Sequence, residues 1–473
     1  MGQISNMKPV LQYRWKMDRS GSQPTLLYYG LRNYPRHQDR VIGVRHETAE
    51  LIDRFDGSLG LSELGEATAS PELERLIQEG IIVDVAERRK PATPATRRTC
   101  VRCVNDDYVL PGLEFDRQGV CAFCQCFEKA DDPGPLHGGT VTESDLLAAS
   151  GKRSGRFDVM VLYTGGKDSS FLLWYLARKL GLNVLACTWD MPFTNESSRA
   201  NARSARERLP NVEFLERTVR WTDIQRVSKN LFDATGLPCI CPILSSVLFY
   251  PYAVIENIPF VLDGVEAAQT LILSKVMGLP AKTGAAGLSE AKLTLRQVRR
   301  YLVPDLDSGD PWDHFLTRVR EELGSIYDPL AEALKRVDPA HPPLVKRLQT
   351  EQVYGTWADV RKIIESELGW RMPEGQEGLL HTSCDIETVK DWSQLRRFAD
   401  MRTMQMPQSI IEISAAVHLG LITRDKGLME LAERGYYEQP RSLAPLMARL
   451  GLSLEEAQAL PGELPCVVKG CRF

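Results

Sequence analysis

The sequence contains no hydrophobic run long enough to cross a lipid bilayer. It has no uninterrupted stretch of 18 apolar residues, whereas a membrane-spanning helix needs about 20 predominantly apolar residues. Residues 1–21 are basic but lack the apolar segment of a signal peptide. We therefore expect a cytoplasmic chain that has no membrane partner.

The sequence also lacks an excess of either charge sign. It has 58 Lys and Arg residues against 62 Asp and Glu residues, a net charge of −4, so no electrostatic argument favours a nucleic-acid partner. Repeats of fixed period and low-complexity tracts are absent, which argues against a solenoid or a disordered chain. The seven histidines are scattered without metal-binding spacing, and we assign none of them a role.

What the chain does have is length, apolar content and clustered cysteines. Its 473 residues, 43% of them apolar, are enough for two to four domains with at least one large core. Five of the eleven cysteines fall within residues 100–126. In an intracellular chain, such clustering favours metal or thiol chemistry over a disulfide framework.

Four of these cysteines have the spacing of a tetrahedral metal site. Cys100 and Cys103 form one C-x-x-C corner, and Cys121 and Cys124 form a second corner after 17 intervening residues. Each corner offers two thiolates from a single turn, the usual pattern of structural zinc sites. We predict a zinc ribbon that binds Zn²⁺, in which Cys126 is either a spare thiol or a replacement for Cys124.

Strand and helix patterns alternate from residue 157 onward. Apolar strands such as FDVMVLY (157–163) and NVLACTW (183–189) flank helical patterns such as SSFLLWYLARKLG (169–181). This alternation predicts an α/β fold, a parallel sheet with helices on both faces. From about residue 290 the pattern becomes mostly helical.

The segment YTGGKDSS (163–170) lies between the first of these strands and the first helix. A glycine-rich turn at this place presents backbone N–H groups at the positive end of a helix, a ready site for phosphate. A Walker A loop is excluded, because Asp168 follows Lys167 and Val161 stands where that loop needs a glycine. The G-x-G-x-x-G spacing of dinucleotide-binding loops is also absent.

The segment resembles the S-G-G-x-D-S loop of the PP-loop ATP pyrophosphatases, with Thr164 in place of the usual serine. The resemblance implies that ATP is cut between its α- and β-phosphates, that AMP is joined to a substrate oxygen, and that pyrophosphate leaves. The glycines would admit the phosphates, the hydroxyls would bind them, Lys167 would neutralise charge, and Asp168 would hold Mg²⁺ or the loop. The implied ATP-binding residues are Thr164, Gly165, Gly166, Lys167, Asp168, Ser169 and Ser170, with Lys167 and Asp168 also catalytic.

A second set of polar residues lies at the end of the fourth predicted strand, PFVLDGVE (259–266). VLDGVEAAQ (261–269) offers Asp263, Glu266 and Gln269. Carboxylates at the end of a parallel strand could bind Mg²⁺ or orient the substrate.

A longer resemblance extends over residues 98–460. CVRCVNDDYVLPGLEFDRQGVCAFC (100–124), followed by TGGKDSS, resembles the N-acetyl sugar amidotransferases, and TSCDIETVKDW (382–392) and GLITRDKGLMEL (420–431) are similar to the C-terminal half of that family. This resemblance implies that ATP activates an acetamido or carbonyl oxygen. Ammonia from a partner glutaminase would then replace that oxygen.

The N-terminal region is not part of the usual amidotransferase. HETAELIDRFDGSLGLSEL (46–64) and LERLIQEGIIV (73–83) resemble the PqqD-like peptide-binding chaperones, also called RiPP recognition elements. The resemblance implies a small winged-helix-like module that presents a peptide or carrier; the alternative is a module that only packs on the enzyme. The predicted domains are 1–95 (PqqD-like module), 96–135 (zinc ribbon), 150–290 (PP-loop domain) and 291–473 (helical C-terminal domain).

A second departure from the amidotransferases is the pair Cys239 and Cys241 in LPCICPILSS. Other PP-loop enzymes, which insert sulfur, keep cysteines near this point as persulfide carriers or as ligands of an iron–sulfur cluster. Cys239 and Cys241 could serve in this way together with Cys384. The alternative function is therefore a sulfurtransferase that thiolates a small molecule, peptide or carrier with a sulfur-donor protein. Free cysteines also occur as buried apolar residues, which is how we interpret Cys187.

Overall fold

The structure is a computed structural model that describes residues 6–65, 70–129, 140–151, 155–236, 238–266, 268–269, 289–308, 311–349 and 353–459. Two compact units make up the chain. The first contains Met1–Lys129 and Leu395–Pro407, and the second contains Ala130–Gln394 and Gln408–Phe473. The four predicted domains stay a prediction. Within the described ranges, no helix combines the length and the apolar character needed to span a membrane.

The first unit is built on short antiparallel strands. The strands are β1 (Pro9–Leu11), β2 (Trp15–Asp18), β3 (Thr25–Tyr28), β4 (Val41–Gly43) and β5 (Ile82–Asp84). Strands β2, β3 and β4 form one sheet in that order, and β1 pairs with β5. The helices are α1 (His46–Ile52), α2 (Pro71–Gln78) and α3 (Ala122–Lys129). The apolar faces of α1 and α2 share one core with the strands, which includes Leu26, Ala49, Ile52, Leu73, Leu76 and Ile82.

Residues 395–407 are tied to the first unit by buried arginines. The Arg14 guanidinium donates to the backbone carbonyls of Phe398 and Ala399 at 2.5 and 2.7 Å. Arg40 donates to the Met404 carbonyl at 2.9 Å. Because arginine presents several donors in one plane, each side chain can satisfy carbonyls that would otherwise be buried without partners.

The second unit is organised around a six-stranded parallel sheet, as far as the described residues show. Its strands are β6 (Thr140–Val141), β7 (Val159–Leu162), β8 (Val184–Asp190), β9 (Val212–Thr218), β10 (Phe260–Asp263) and β11 (Leu344–Leu348), and their order in the sheet is β6-β11-β10-β7-β8-β9. All five pairings are parallel. The predicted α/β fold is thus confirmed.

Helices flank the sheet and fill the C-terminal region, as predicted. They are α4 (Glu143–Ser150), α5 (Lys167–Trp174), α6 (Glu196–Arg208), α7 (Trp221–Thr235), α8 (Cys241–Ile255), α9 (Glu290–Arg300), α10 (Pro311–Leu323), α11 (Asp328–Arg336), α12 (Trp357–Leu368), α13 (Ile386–Ala399), α14 (Gln408–His418), α15 (Arg424–Ala432), α16 (Leu443–Arg449) and α17 (Leu454–Ala459). One turn of π-helix, Tyr175–Lys179, continues α5.

Strand β7 lies inside the sheet, between β10 and β8. Val159, Met160 and Val161 are fully buried, as expected for a parallel strand covered on both faces. The carboxyl end of β7 therefore opens between the ends of its two neighbours. This is the edge at which open parallel sheets bind ligands.

The alternating sequence pattern did not reveal the two strands at one side of the sheet. Strand β6 has only two residues, and β11 contains Lys346 and Arg347 within LVKRL. The Lys346 ammonium is buried and reaches Glu290 of α9 at 2.5 Å. Because this contact compensates the buried charge, a strand forms where the sequence reads as polar.

Candidate functional site

The loop between β7 and α5 needs glycine for a steric reason. Gly165 has a φ of +76°, and a Cβ atom built there would lie 2.3 Å from the Ser198 backbone oxygen. The end of β10 approaches equally closely, since a Cβ on Gly264 would lie 2.7 Å from the Ser169 Cα. The glycines therefore allow the loop, α6 and the β10 end to converge at one edge of the sheet.

The loop hydroxyls mostly bind the loop itself. The Thr164 and Ser169 hydroxyls lie 3.0 Å apart, and the Thr164 oxygen accepts the Gly166 N–H at 3.3 Å. Ser170 is fully buried, with its hydroxyl 3.3 Å from that of Tyr163. Thr164 and Ser169 thus shape the turn, whereas Ser170 faces the interior.

The Lys167 side chain is buried among acidic and aromatic groups. Its ammonium contacts the Asp168 carboxylate, donates to the Tyr354 hydroxyl at 2.7 Å and lies 3.7 Å from the Glu266 carboxylate. It also lies 4.7 Å from the centre of the Trp357 ring. The structure therefore brings Glu266 next to Lys167 and Asp168, which precede it by about a hundred residues in the sequence.

Tyr354 and Trp357 are site residues that the sequence did not reveal. The Trp357 indole N–H donates to both Glu266 carboxylate oxygens, at 3.1 and 2.9 Å. Both aromatic residues lie at or just before the start of α12, in QVYGTW, which matches no motif. Their role depends on a long-range approach of α12 to α5 that no local pattern indicates.

The carboxylates after β10 have elevated pKa values. Burial raises the pKa of Glu266 to about 7, against the opposing charge of Lys167. Burial likewise raises the pKa of Asp263 to about 6. Gln269 accepts the Glu266 backbone N–H at 3.2 Å. A nearby cation stabilises the charged form of a buried carboxylate, which fits the predicted role of these residues in binding Mg²⁺.

These carboxylates do not by themselves form a closed metal site. Among the described residues, only the four ribbon cysteines bring three or more potential ligand atoms within 4.8 Å of one another. Mg²⁺ usually takes one or two protein carboxylates and completes its shell with substrate phosphates and water. Asp168 and Glu266, which both approach the Lys167 ammonium, are two carboxylates of this kind.

A segment from the C-terminal half, residues 381–385, packs directly on the loop. The Lys167 backbone N–H donates to the Thr382 hydroxyl at 2.8 Å. A Cβ on Gly166 would lie 3.0 Å from the Ser383 Cβ. The segment therefore covers the N-terminus of α5, the position at which backbone N–H groups would bind a phosphate.

The same segment brings Cys384 to the cysteine pair that precedes and begins α8. Cys239 and Cys241 share a side-chain hydrogen bond, which lowers the pKa of Cys239 and raises that of Cys241. Cys384 lies close enough for its charge to interact with both. Cys241 and Cys384 also pack on the same apolar cluster, beside Met191 and Ile386. The three predicted thiols are therefore neighbours.

A small polar pocket of about 80 Å³ is lined by Cys384 together with His381, Glu387 and Arg434, among others. His381 adopts a positive φ of 55°, and its Nε2 lies 3.3 Å from the Glu412 carboxylate. Burial opposes protonation of His381, but the charges of Glu387 and Glu412 raise its pKa overall. His381 was not assigned a role from the sequence, because its partners are distant along the chain.

The four ribbon cysteines form a closed, fully buried cluster. The sulfur of Cys121 lies 3.6 Å from those of Cys103 and Cys124, and the sulfurs of Cys100 and Cys124 are 3.7 Å apart. A tetrahedral Zn²⁺ with Zn–S bonds of about 2.3 Å needs sulfurs about 3.8 Å apart. Backbone N–H groups of Arg102, Asn105 and Cys121 donate to these sulfurs. The set fits a structural Zn²⁺ and does not have the geometry of disulfides.

Three further cysteines lie apart from these clusters in the sequence. Cys187 lies in β8, is 1% exposed and belongs to the main core of the second unit, as expected for a buried apolar residue. Cys466 and Cys471 lie outside the described residues.

Replacing Gly165 by alanine should destabilise the protein more than the same replacement at another glycine that has a positive φ. Gly181 offers a matched control, because its φ is +69° but nothing lies within 4 Å of its Cβ position. Both variants incur the left-handed penalty of about 1–2 kcal/mol. Gly165→Ala also overpacks the loop against Ser198, which adds about 1–3 kcal/mol. Thermal unfolding should therefore show a clearly larger loss for Gly165→Ala; equal losses would contradict the close packing.

The four-sulfur cluster predicts which cysteine substitutions cause loss of zinc. We expect purified wild-type protein and Cys126→Ser to hold equal amounts of zinc by elemental mass spectrometry, because Cys126 lies outside the four-sulfur cluster. Cys124→Ser should lose the metal and unfold at lower temperature, since structural zinc stabilises its own fold. Loss of zinc from Cys126→Ser with retention in Cys124→Ser would instead make Cys126 the fourth ligand.

No protein-family model and no curated protein matches the sequence. Among solved structures, the chain is similar to the U34-tRNA thiolase NcsA from Methanococcus maripaludis with its 4Fe–4S cluster, at 13% identity over 76% of this chain and 96% of that chain, with a TM-score of 0.26. It is also similar to the NH₃-dependent NAD synthetase from Campylobacter jejuni in complex with nitrate, at 15% identity over 50% of this chain and 96% of that chain, with a TM-score of 0.21. TM-scores this low support no conclusion about the reaction of this chain, and the α/β fold is established by the sheet itself.

Proposed function

We propose that this chain is an ATP-dependent sulfurtransferase of the PP-loop type. It would bind MgATP at the β7–α5 loop, transfer AMP to a carbonyl or amide oxygen of its substrate and release pyrophosphate. A sulfur atom would then replace the activated oxygen. The observation that supports sulfur most directly is the cluster of Cys239, Cys241 and Cys384 beside a segment that contacts the loop.

The first half-reaction rests on the loop. The N-terminus of α5 and the turn at Gly165 and Gly166 would hold the departing pyrophosphate through backbone N–H groups. Lys167 places a positive charge in the first turn of α5, where it contacts Asp168 and lies near Glu266. In this step the substrate oxygen attacks the α-phosphorus, the α–β bridging bond breaks, and its electron pair leaves with pyrophosphate.

The second half-reaction rests on the thiols. The hydrogen bond from Cys241 lowers the pKa of Cys239, which favours the nucleophilic thiolate. A persulfide on one cysteine would attack the adenylated carbon through its terminal sulfur and expel AMP. A neighbouring thiol would then attack the inner sulfur, which releases the thiolated product and leaves a disulfide between the two cysteines. A thiol reductant and the sulfur-donor protein would restore the persulfide.

The same thiols fit a second form of sulfur delivery. Three cysteines can hold a 4Fe–4S cluster and leave one of its irons open. Cys239, Cys241 and Cys384 would be the ligands, and a cluster bound there would supply an iron for the incoming sulfide. The protein residues would position that centre beside the loop and shield it within the cluster of Met191 and Ile386.

An amidotransferase is the second candidate function. The order of the zinc ribbon, the PP-loop and the C-terminal segments favours it, because that order is the basis of the resemblance to the N-acetyl sugar amidotransferases. Ammonia from a glutaminase partner would then replace the activated oxygen. The N-terminal module would present a peptide or carrier substrate in either reaction, as its PqqD-like pattern suggests.

Cysteine variants should separate activation from sulfur delivery. We expect Cys239→Ala, Cys241→Ala and Cys384→Ala each to lower product formation by at least about a hundredfold, because a nucleophile is lost, while ATP-dependent pyrophosphate release remains. The matched control is Cys187→Ala, which removes a buried thiol from β8. This variant should keep both pyrophosphate release and product formation.

The product is best read by mass spectrometry. Wild-type protein would be incubated with MgATP, a sulfide or ammonium donor, and a panel of acetamido sugars, nucleosides and peptides. Sulfur for oxygen raises the substrate mass, whereas an imino group for oxygen lowers it. A lower mass, formed equally well by the three cysteine variants, would reject the sulfurtransferase in favour of the amidotransferase.

A further inference from the structure

Thr382 occupies a position that links the nucleotide loop to the thiols. Its hydroxyl accepts the Lys167 N–H at 2.8 Å, and its side chain is 4% exposed. Its carbonyl accepts from the Ser198 hydroxyl and from the Asn195 side-chain amide, each at 3.1 Å. Thr382 is therefore held on both sides, by α5 through its side chain and by α6 through its backbone.

The residues after Thr382 continue along the segment that precedes α6. Cys384 forms an isolated antiparallel bridge with Thr194. The Asn195 N–H donates to the Ser383 carbonyl at 3.3 Å, and the Asp385 N–H donates to the Phe193 carbonyl at 2.9 Å. Cys384 follows Thr382 by two residues, and backbone hydrogen bonds hold residues 382–385 along the segment before α6. We therefore expect a displacement of Thr382 to move Cys384 as well.

The Lys167 N–H is one of the donors that a helix leaves unpaired at its N-terminus. Such donors are the groups that bind phosphate. A threonine hydroxyl can accept one hydrogen bond and donate another. The Thr382 hydroxyl can therefore respond to a phosphate at this helix end, either by donating to a phosphate oxygen or by yielding the Lys167 N–H to it.

We propose that Thr382 is a positioning residue that couples nucleotide binding at the β7–α5 loop to the placement of Cys384. The inference rests on the proposed function, in which adenylation precedes sulfur delivery. Binding of the nucleotide would shift the 381–385 segment and change the access of reagents to Cys384. Sulfur would thus be presented to the substrate only after the loop has bound its nucleotide.

A simpler role for Thr382 is to cap α5. A side-chain cap stabilises a helix without linking it to a second site. Loss of stability alone would not tell the two roles apart. The test therefore needs a readout at Cys384, which a capping role would not affect.

The experiment measures the rate at which iodoacetamide alkylates Cys384 in the full-length, reduced protein, followed by mass spectrometry of the Cys384 peptide. The probe is Mg²⁺ with α,β-methylene-ATP, which a PP-loop enzyme cannot cut between the α- and β-phosphates. We expect saturating analogue to change the alkylation rate by about fivefold or more, the lower range of typical coupling between sites. Thr382→Val should lose this change, and Thr382→Ser, which keeps the hydroxyl, should retain it.

Each outcome supports or overturns the inference. Analogue binding, measured by calorimetry, without any change at Cys384 in the wild type would overturn the coupling while leaving the proposed function intact. A full response in Thr382→Val would overturn the role of Thr382. Failure of the wild type to bind the analogue would reject both the inference and the proposed function. If Thr382→Val is too unstable to study, the wild-type comparison still decides whether coupling exists.

Discussion

The close approach of backbone at the end of β7 is the constraint on which the rest of the site depends. Gly165 lies against the Ser198 oxygen of α6, and Gly264 lies against Ser169 of α5. Side chains at these two positions would separate the loop from α6 and from the end of β10. Lys167 can reach Glu266 only when the loop contacts the end of β10. Thr382 can accept the first N–H of α5 only when the loop also contacts α6.

Buried charge is the second feature of the site. Lys167 is 1% exposed and Glu266 is 2% exposed, and the two are stabilised by Asp168, Trp357 and Tyr354. Burying charges costs several kcal/mol unless they are paired and hydrogen-bonded. A buried pair of opposite charges at the ends of the central strands is the kind of arrangement that concentrates at functional sites, which is why we propose the nucleotide site here.

Much of this could be predicted from the sequence where the signal is local. The alternation of apolar strands and helices predicted the parallel sheet, and the C-x-x-C corners predicted the four-sulfur cluster that the structure shows. The strands β6 and β11 were missed because one is very short and the other contains buried charges. Tyr354, Trp357 and His381 were missed for a different reason: their partners lie on other helices, and a single sequence has no local pattern that reports such contacts.

In the proposed function, the loop directs cleavage of ATP between the α- and β-phosphates. Phosphorus NMR of wild-type protein with MgATP, a sulfide donor and the substrate panel tests it most directly, because the two possible cleavages give different products. We expect AMP and pyrophosphate in equal amounts. ADP and inorganic phosphate, or intact ATP under all of these conditions, would contradict it.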